Sequence, residues 1–176
     1  MTDAPRIAPL PPDGREPRTQ ELLQSLRFDP AQFEQALLNL CTNAWHALGD
    51  GSGRIEIGLA RQLLDAATAE RLAGTPPGMA VHLWVRDNGC GMDDATRQRI
   101  FEPFFTTKPV GQGTGLGLSV VYGIVASHGG AMEVDSAPGA GSTFHVLLPC
   151  AADAACEAAP SPAAALPVLG RGQHVL

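Results

Sequence analysis

The chain has 176 residues, 44% hydrophobic and 17% charged, with a formal net charge of −6. That size fits one domain with a real core. The acidic balance and the lack of any Lys/Arg block argue against a nucleic-acid partner. No apolar run reaches the ~20 residues of a membrane span, so no direct membrane contact is expected. The first residues lack the pattern of a signal peptide. Cys41, Cys90, Cys150 and Cys156 have no metal-ligand spacing, which fits reduced thiols and a cytoplasmic location.

Residues 1–19 are rich in proline and charge and are expected to be a disordered lead-in. Residues 20–28 could hold an edge strand or a short helix. Asp29-Pro30 is a helix start, with Asp as cap and Pro at the first helical position. This helix should run to about Leu48 and stop at Gly49-Asp50-Gly51. Phe33, Ala36, Leu37, Leu40, Cys41, Ala44, Ala47 and Leu48 share one broad apolar arc, widened by Leu38 and Trp45. The strip left over carries Gln35, Asn39, Thr42, Asn43 and His46. Asn39 and Asn43 are four residues apart and sit one above the other. The plain reading is a solvated face. Yet solvated faces usually carry Glu and Lys, and Asn is a weak helix former. Neutral amides on a mostly buried helix suit a ligand or hydrated ion, and Asn oxygens are competent Mg²⁺ ligands.

Residues 54–60 and 80–87 alternate apolar and polar side chains, so each reads as a strand with one buried face. The sheet should carry helices on one side and be wetter on the other. A short helix from Asp65 and a loop over 74–78 separate the two strands. Asp87 ends the second strand, ahead of Gly89 and Gly91. A carboxylate there can accept a bond from an adenine amine, worth roughly 1.5–3 kcal/mol. A guanine carbonyl would be refused. The bland alternative is a strand-ending Asp-Asn-Gly turn.

A long glycine-punctuated segment follows and is expected to be a mobile lid. It closes on Gly113-Thr114-Gly115-Leu116-Gly117-Leu118, where a helix start suits phosphate. Lys108 could pair with a terminal phosphate or be solvated. Phe101, Phe104 and Phe105 read as anchors of the lid base. His46, His82, His128 and His145 show no pairing that suggests a metal or nucleophilic site. Residues 115–128 read as a helix, and residues 131–135 and 142–148 as a hairpin. Residues 150–171 look like an Ala/Pro-rich linker, and 172–176 like the start of a further strand.

Together these stretches resemble a family. Asn39-Leu40-Cys41-Thr42-Asn43-Ala44 resembles the N box of sensor histidine kinases, and Asp87-Asn88-Gly89-Cys90-Gly91 their G1 box. Phe101-Glu102-Pro103-Phe104-Phe105 resembles the F box, Gly113 to Leu118 the G2 box, and Gly141-Ser142-Thr143-Phe144 the late glycine–threonine element. The order matches the family over residues 30–149. The resemblance implies the GHKL (Bergerat-type) ATP-binding fold: an α/β two-layer sandwich with a mixed sheet, helices on one face and an ATP lid. It implies a catalytic domain over 20–149 and a possible receiver domain opening at 172–176.

By the same likeness, the cofactors are ATP and Mg²⁺. Asn43 is the metal ligand, and Asn39 and Lys108 join it at the phosphates. The nucleotide is lined by His46, Ala47, Asp87, Gly89, Gly91, Met92, Phe101, Thr106, Thr107, Lys108, Gly113, Thr114, Gly115, Leu116, Gly117 and Leu118. Thr143 supports Asp87 through water. GHKL hydrolases such as gyrase carry a general-base Glu where this chain has Asn39, which favours a kinase. The partners implied are a histidine-containing dimerisation domain and a response regulator or receiver domain. No histidine precedes His46, so the phosphoacceptor is expected outside this chain. The competing readings are a GHKL ATPase, an anti-sigma-type serine kinase, or a degenerate nucleotide-binding scaffold.

Overall fold

Asp29 sets the start of helix α1, Pro30–Leu48: its carboxylate accepts the Ala31 N–H at 3.0 Å, and Pro30 brings a preset φ. Gly49, at φ +60°, ends the helix and donates its N–H to His46. The computed structural model describes Leu22 and residues 28–49, 52–72, 75–108 and 113–150. The expectations for residues 1–19, for the linker beyond Cys150 and for 172–176 lie outside these. Of the segment 20–28, Leu22 is helical and buried. Cys150, expected to open the linker, still belongs to the sheet: its N–H bonds Met79 at 2.9 Å.

After α1 come β1 (Ile55–Leu64), α2 (Ala66–Arg71), β2 (Gly78–Asp87), α3 (Asp94–Arg99), α4 (Gly117–Ser127), β3 (Ala131–Ser136) and β4 (Ser142–Pro149). The strands lie in the order β1-β2-β4-β3, and all three ladders are antiparallel. The expected mixed sheet is therefore corrected for the described strands. β2 and β3 do run the same way, joined by a crossover that carries α3, the lid and α4. The β3–β4 hairpin then folds β4 back between them, antiparallel to both.

One sheet face builds the main core. Leu83, Val85, Phe144, Val146 and Leu148 meet Ala36, Leu40 and Ala44 of α1 and Val121 and Val125 of α4. Two alanines on α1's inner arc let the helix approach the sheet closely. α1 packs chiefly on β2, so the edge strand's inner face is left partly uncovered, and Ile57 and Leu63 are exposed there.

The opposite face is drier than the alternation predicts. Leu64, Leu72, Ala80, Ala131 and Leu147 form a second cluster, with Leu72 directly after α2. His82 is buried on this face, its Nε2 3.0 Å from His145 Nδ1. This contact was not foreseen in the sequence. Residues 63 positions apart become strand neighbours by register, which no local spacing reveals.

Burial, and then the neighbouring His145, push the His82 pKa from its ordinary 6.5 down to about 4. Above the ordinary value this carries no penalty. As pH falls from 6.5 to about 4 the unfolded chain takes up a proton that folded His82 resists, so stability is lost. The full effect is roughly 3 kcal/mol. Urea unfolding at neutral pH and at about pH 4.5 should show a smaller acid loss in His82→Gln than in the wild type. Leu40→Ala, which empties a fully buried position, should cost about 2–5 kcal/mol at either pH.

Candidate nucleotide site

The amide strip of α1 forms one wall of a cavity of about 250 Å³. Asn39, Thr42, Asn43 and His46 line it from α1, and Met92, Thr96 and Ile100 from the stretch around α3. Phe105, Thr106, Thr107, Lys108, Gly113, Thr114, Gly115, Gly117 and Leu118 line it from the lid and the start of α4. Gln35 donates to Asn39 Oδ1 at 3.4 Å. His46 Nδ1 lies 2.6 Å from the Thr42 carbonyl, so that nitrogen carries the proton.

Helix α4 begins against this strip. A Cβ on Gly117 would lie 3.8 Å from both Asn39 Oδ1 and Asn43 Nδ2. Leu116 precedes the helix with no side-chain cap, so the first-turn N–H groups are available to an anion. The lid's two ends are tied to each other. Phe104 donates its N–H to Gly115 O at 2.9 Å, and both hold left-handed backbone, φ +68° and +67°. A Cβ on Gly115 would sit 2.4 Å from the Phe104 carbonyl carbon, so only glycine fits. Arg99 lies over the Phe105 ring at 4.4 Å and pairs with Glu102 at 3.0 Å, bracing the lid base. Lys108 is the cation among the lining side chains, and burial lowers its pKa from the ordinary value.

Asp87 lies at the other end, outside this lining, and is only 2% exposed. Its Oδ1 accepts the Gly89 N–H at 2.8 Å and the Ser142 N–H at 3.3 Å. Both bonds fall on Oδ1, so Oδ2 is the oxygen that remains for an outside donor. The loop after Asp87 is clamped on two sides. Cys90 N–H bonds the Ala47 carbonyl at 2.9 Å, and Gly139 N–H bonds the Cys90 carbonyl at 2.7 Å. Met92 N–H bonds Ser136 Oγ at 2.9 Å, and Ser136 Oγ in turn bonds Gly141 O at 3.0 Å.

Of the expected site residues, Ala47, Asp87, Gly89, Gly91, Phe101, Leu116 and Thr143 do not line the cavity. Ala47, Gly89 and Gly91 belong to the clamp around Asp87. Phe101 packs on Tyr122, centroids 5.3 Å apart, beside the core. Thr143 is corrected: it pairs with Arg86 on the far face of β4, while Ser142 pairs with Asp87 and faces it. Side chains alternate along a strand, so a one-residue shift moves the contact to the other side. Thr42, Thr96, Ile100 and Phe105 were not foreseen as lining. Thr42 was legible as a member of the strip; Thr96 and Ile100 depend on how α3 folds back, which has no local signal.

Residues 28–152 match the family described as histidine kinase-, DNA gyrase B-, and HSP90-like ATPase. The chain belongs to this family. Membership carries an ATP site, and the cavity beside Asn39, Asn43 and α4's start has the chemistry for one. Sensor kinase CckA of Brucella abortus (strain 2308) is 43% identical over 129 residues, 72% of this chain and 13% of that protein. Sensor histidine kinase ZraS of Escherichia coli (strain K12) is 38% identical over 129 residues, 73% of this chain and 24% of that protein. The structure of the mycobacterial sensor histidine kinase MprB matches with a TM-score of 0.53 at 32% identity, over 69% of this chain and 72% of that one. A nucleotide-free catalytic domain of histidine kinase ThkA matches at 0.51 and 31% identity, over 69% and 68%. The chain spans about a quarter or less of the length of these curated relatives.

Within this ATPase-family domain, Gly141 leaves no room for a single methyl. It holds φ +76°, and a Cβ would lie 2.1 Å from the Asp87 carbonyl oxygen. Gly141→Ala should cost about 1–3 kcal/mol of stability and weaken ATP binding by displacing Ser142 from Asp87. Thr143→Ala should leave ATP affinity unchanged, measured by fluorescent-nucleotide titration.

Proposed function

We propose that this chain is the catalytic ATP-binding domain of a sensor histidine kinase, acting in the cytoplasm. It binds Mg·ATP and presents the γ-phosphate to a histidine on a separate dimerisation domain, for relay to a response regulator or receiver domain. The observation that carries the reading is the meeting of Asn39, Asn43 and Gly117, which joins a neutral amide pair to an open helix N-terminus. Asp87 would hold the adenine amine through its remaining oxygen, and the loop clamp fixes that oxygen in place.

At the phosphate end, the uncapped first turn of α4 and the Lys108 ammonium would oppose phosphate charge. Asn43, with Asn39 beside it, offers neutral oxygens that fit Mg²⁺. When bound, the ion would neutralise charge on the phosphates. Asn39 carries no titratable group and cannot take a proton from water at neutral pH. Attack by water is then unassisted, and the γ-phosphate is kept for a better-placed nucleophile. An ATPase or serine kinase reading lacks a base at this position. Phe104, Leu116, Val120 and Tyr122 flank the lid and are exposed. This apolar rim suits a helical phosphoacceptor domain brought up to the phosphate end.

The test is nucleotide binding and turnover on this chain, then addition of a histidine-bearing dimerisation domain. Mg²⁺-dependent ATP binding with negligible phosphate release, and phosphohistidine only after the second domain is added, is the expected result. Asn43→Ala should remove the Mg²⁺ dependence. Asp87→Asn should weaken ATP binding by roughly 10- to 100-fold. Steady turnover without any partner would instead make the chain a hydrolase.

A further inference from the structure

The sheet face turned away from the nucleotide cavity carries a polar array that ATP binding does not use. Strand alternation puts His82 of β2, His145 of β4, and Glu133 and Asp135 of β3 on this face. His82 Nε2 lies 3.0 Å from His145 Nδ1, and His145 Nε2 lies 3.3 Å from Asp135 Oδ2. The groups form a line across three strands, from a histidine 5% exposed to a carboxylate side chain 77% exposed. At the inner end, His82 Nδ1 is buried without a hydrogen-bond partner, and so is Gln62 Oε1 of β1. Gln62 pairs with Ala80, which makes it the diagonal neighbour of His82 on the same face.

Hydrogen-bond direction fixes the tautomers at neutral pH. The Asp135 carboxylate can only accept, so His145 carries its proton on Nε2 and its Nδ1 is bare. His82 must then donate from Nε2, which leaves its Nδ1 bare as well. His82 Nδ1 is therefore a buried acceptor with no hydrogen-bond partner. An unpaired buried group of this kind is costly.

We propose that His82, His145 and Asp135 form one proton-sensing unit, in which a single added proton enters at His82 Nδ1 and leaves its charge on His145 beside Asp135. The proton on His82 Nε2 moves along the existing bond to His145 Nδ1. A solvent proton enters at His82 Nδ1, so the pair gains one proton in total. The charge settles on His145, beside Asp135. Burial holds both imidazoles below their ordinary value, and Asp135 and Glu133 partly offset this at His145, so His145 is the end that takes the charge.

The other charged groups described on this face do not compete. Glu56 of β1 is paired with Arg54 at 3.0 Å, and Arg86 of β2 is exposed. The α2 segment contributes Leu72 and Thr75 to the buried layer, while its Asp65 and Glu70 are exposed. The added charge strengthens the existing His145–Asp135 contact between β4 and β3. Asp135 directly precedes Ser136, which holds the loop of the nucleotide site. Acidification thus acts on the sheet next to that loop.

The experiment is imidazole ¹⁵N NMR on the full chain from about pH 7.5 to about pH 4.5. The expected result is His82 protonated on Nε2 at high pH and on Nδ1 as His145 gains charge, with one shared midpoint. Asp135→Asn should move that midpoint to lower pH. Independent midpoints, an unchanged His82 tautomer while His145 titrates, or a Nδ1 proton on His82 at neutral pH would each overturn the proposal. Unfolding before any change of the His82 tautomer would overturn it too. The wild-type titration decides this without the variant.

Discussion

Two backbone N–H groups on one oxygen of a buried carboxylate organise this domain. Asp87 ends β2, Gly89 opens the loop that follows, and Ser142 opens β4; the Asp87 Oδ1 atom bonds all three segments together. A carboxylate only 2% exposed is costly unless its lone pairs are met. Here the two N–H groups meet one oxygen and hold the carboxylate on a fixed support, which leaves the second oxygen for another donor. Gly141, where a Cβ would meet the Asp87 carbonyl at 2.1 Å, shows how closely the chain closes around that point. The rest of the loop is held by α1 through Ala47 and by β3 through Ser136.

From that hinge the chain divides its labour between two sheet faces. The inner face supplies the packed support for α1 and α4, and those helices bring the Asn39–Asn43 strip to the first turn of α4. Rigid packing behind the strip is what allows neutral amides to be positioned rather than solvated. The outer face is sealed in part by α2 and the residues after it, and it buries an imidazole where a simple one-sided sheet would have left a wet surface. Beside the amide strip, the lid is tied at its base by the Phe104–Gly115 bond, and Thr106, Thr107 and Lys108 line the cavity.

Much of this was legible in the sequence, for physical reasons. The Asp29-Pro30 start and the Gly49 stop bound α1 because caps and glycine turns are local. The apolar arc and the leftover amide strip followed from the helical period alone. Glycines at 91, 115 and 141 stand where φ is positive and the backbone passes close to another strand or loop. What could not be read was non-local. The antiparallel pairing of β4 between β2 and β3 depends on which edge the hairpin takes. Thr143 was placed toward Asp87 when Ser142 holds that position, because register decides the face and motif spacing does not. The His82–His145 pair arises from the same ladder.

The account rests on Asp87 being a selector for an adenine amine rather than the end of an ordinary turn. The most direct measurement is calorimetric titration of the wild-type chain with ATP and with GTP, both with Mg²⁺. The account predicts saturable ATP binding and GTP binding weaker by roughly 10-fold or more. Equal affinity for the two nucleotides would contradict it, and would mean that the buried carboxylate serves the loop alone.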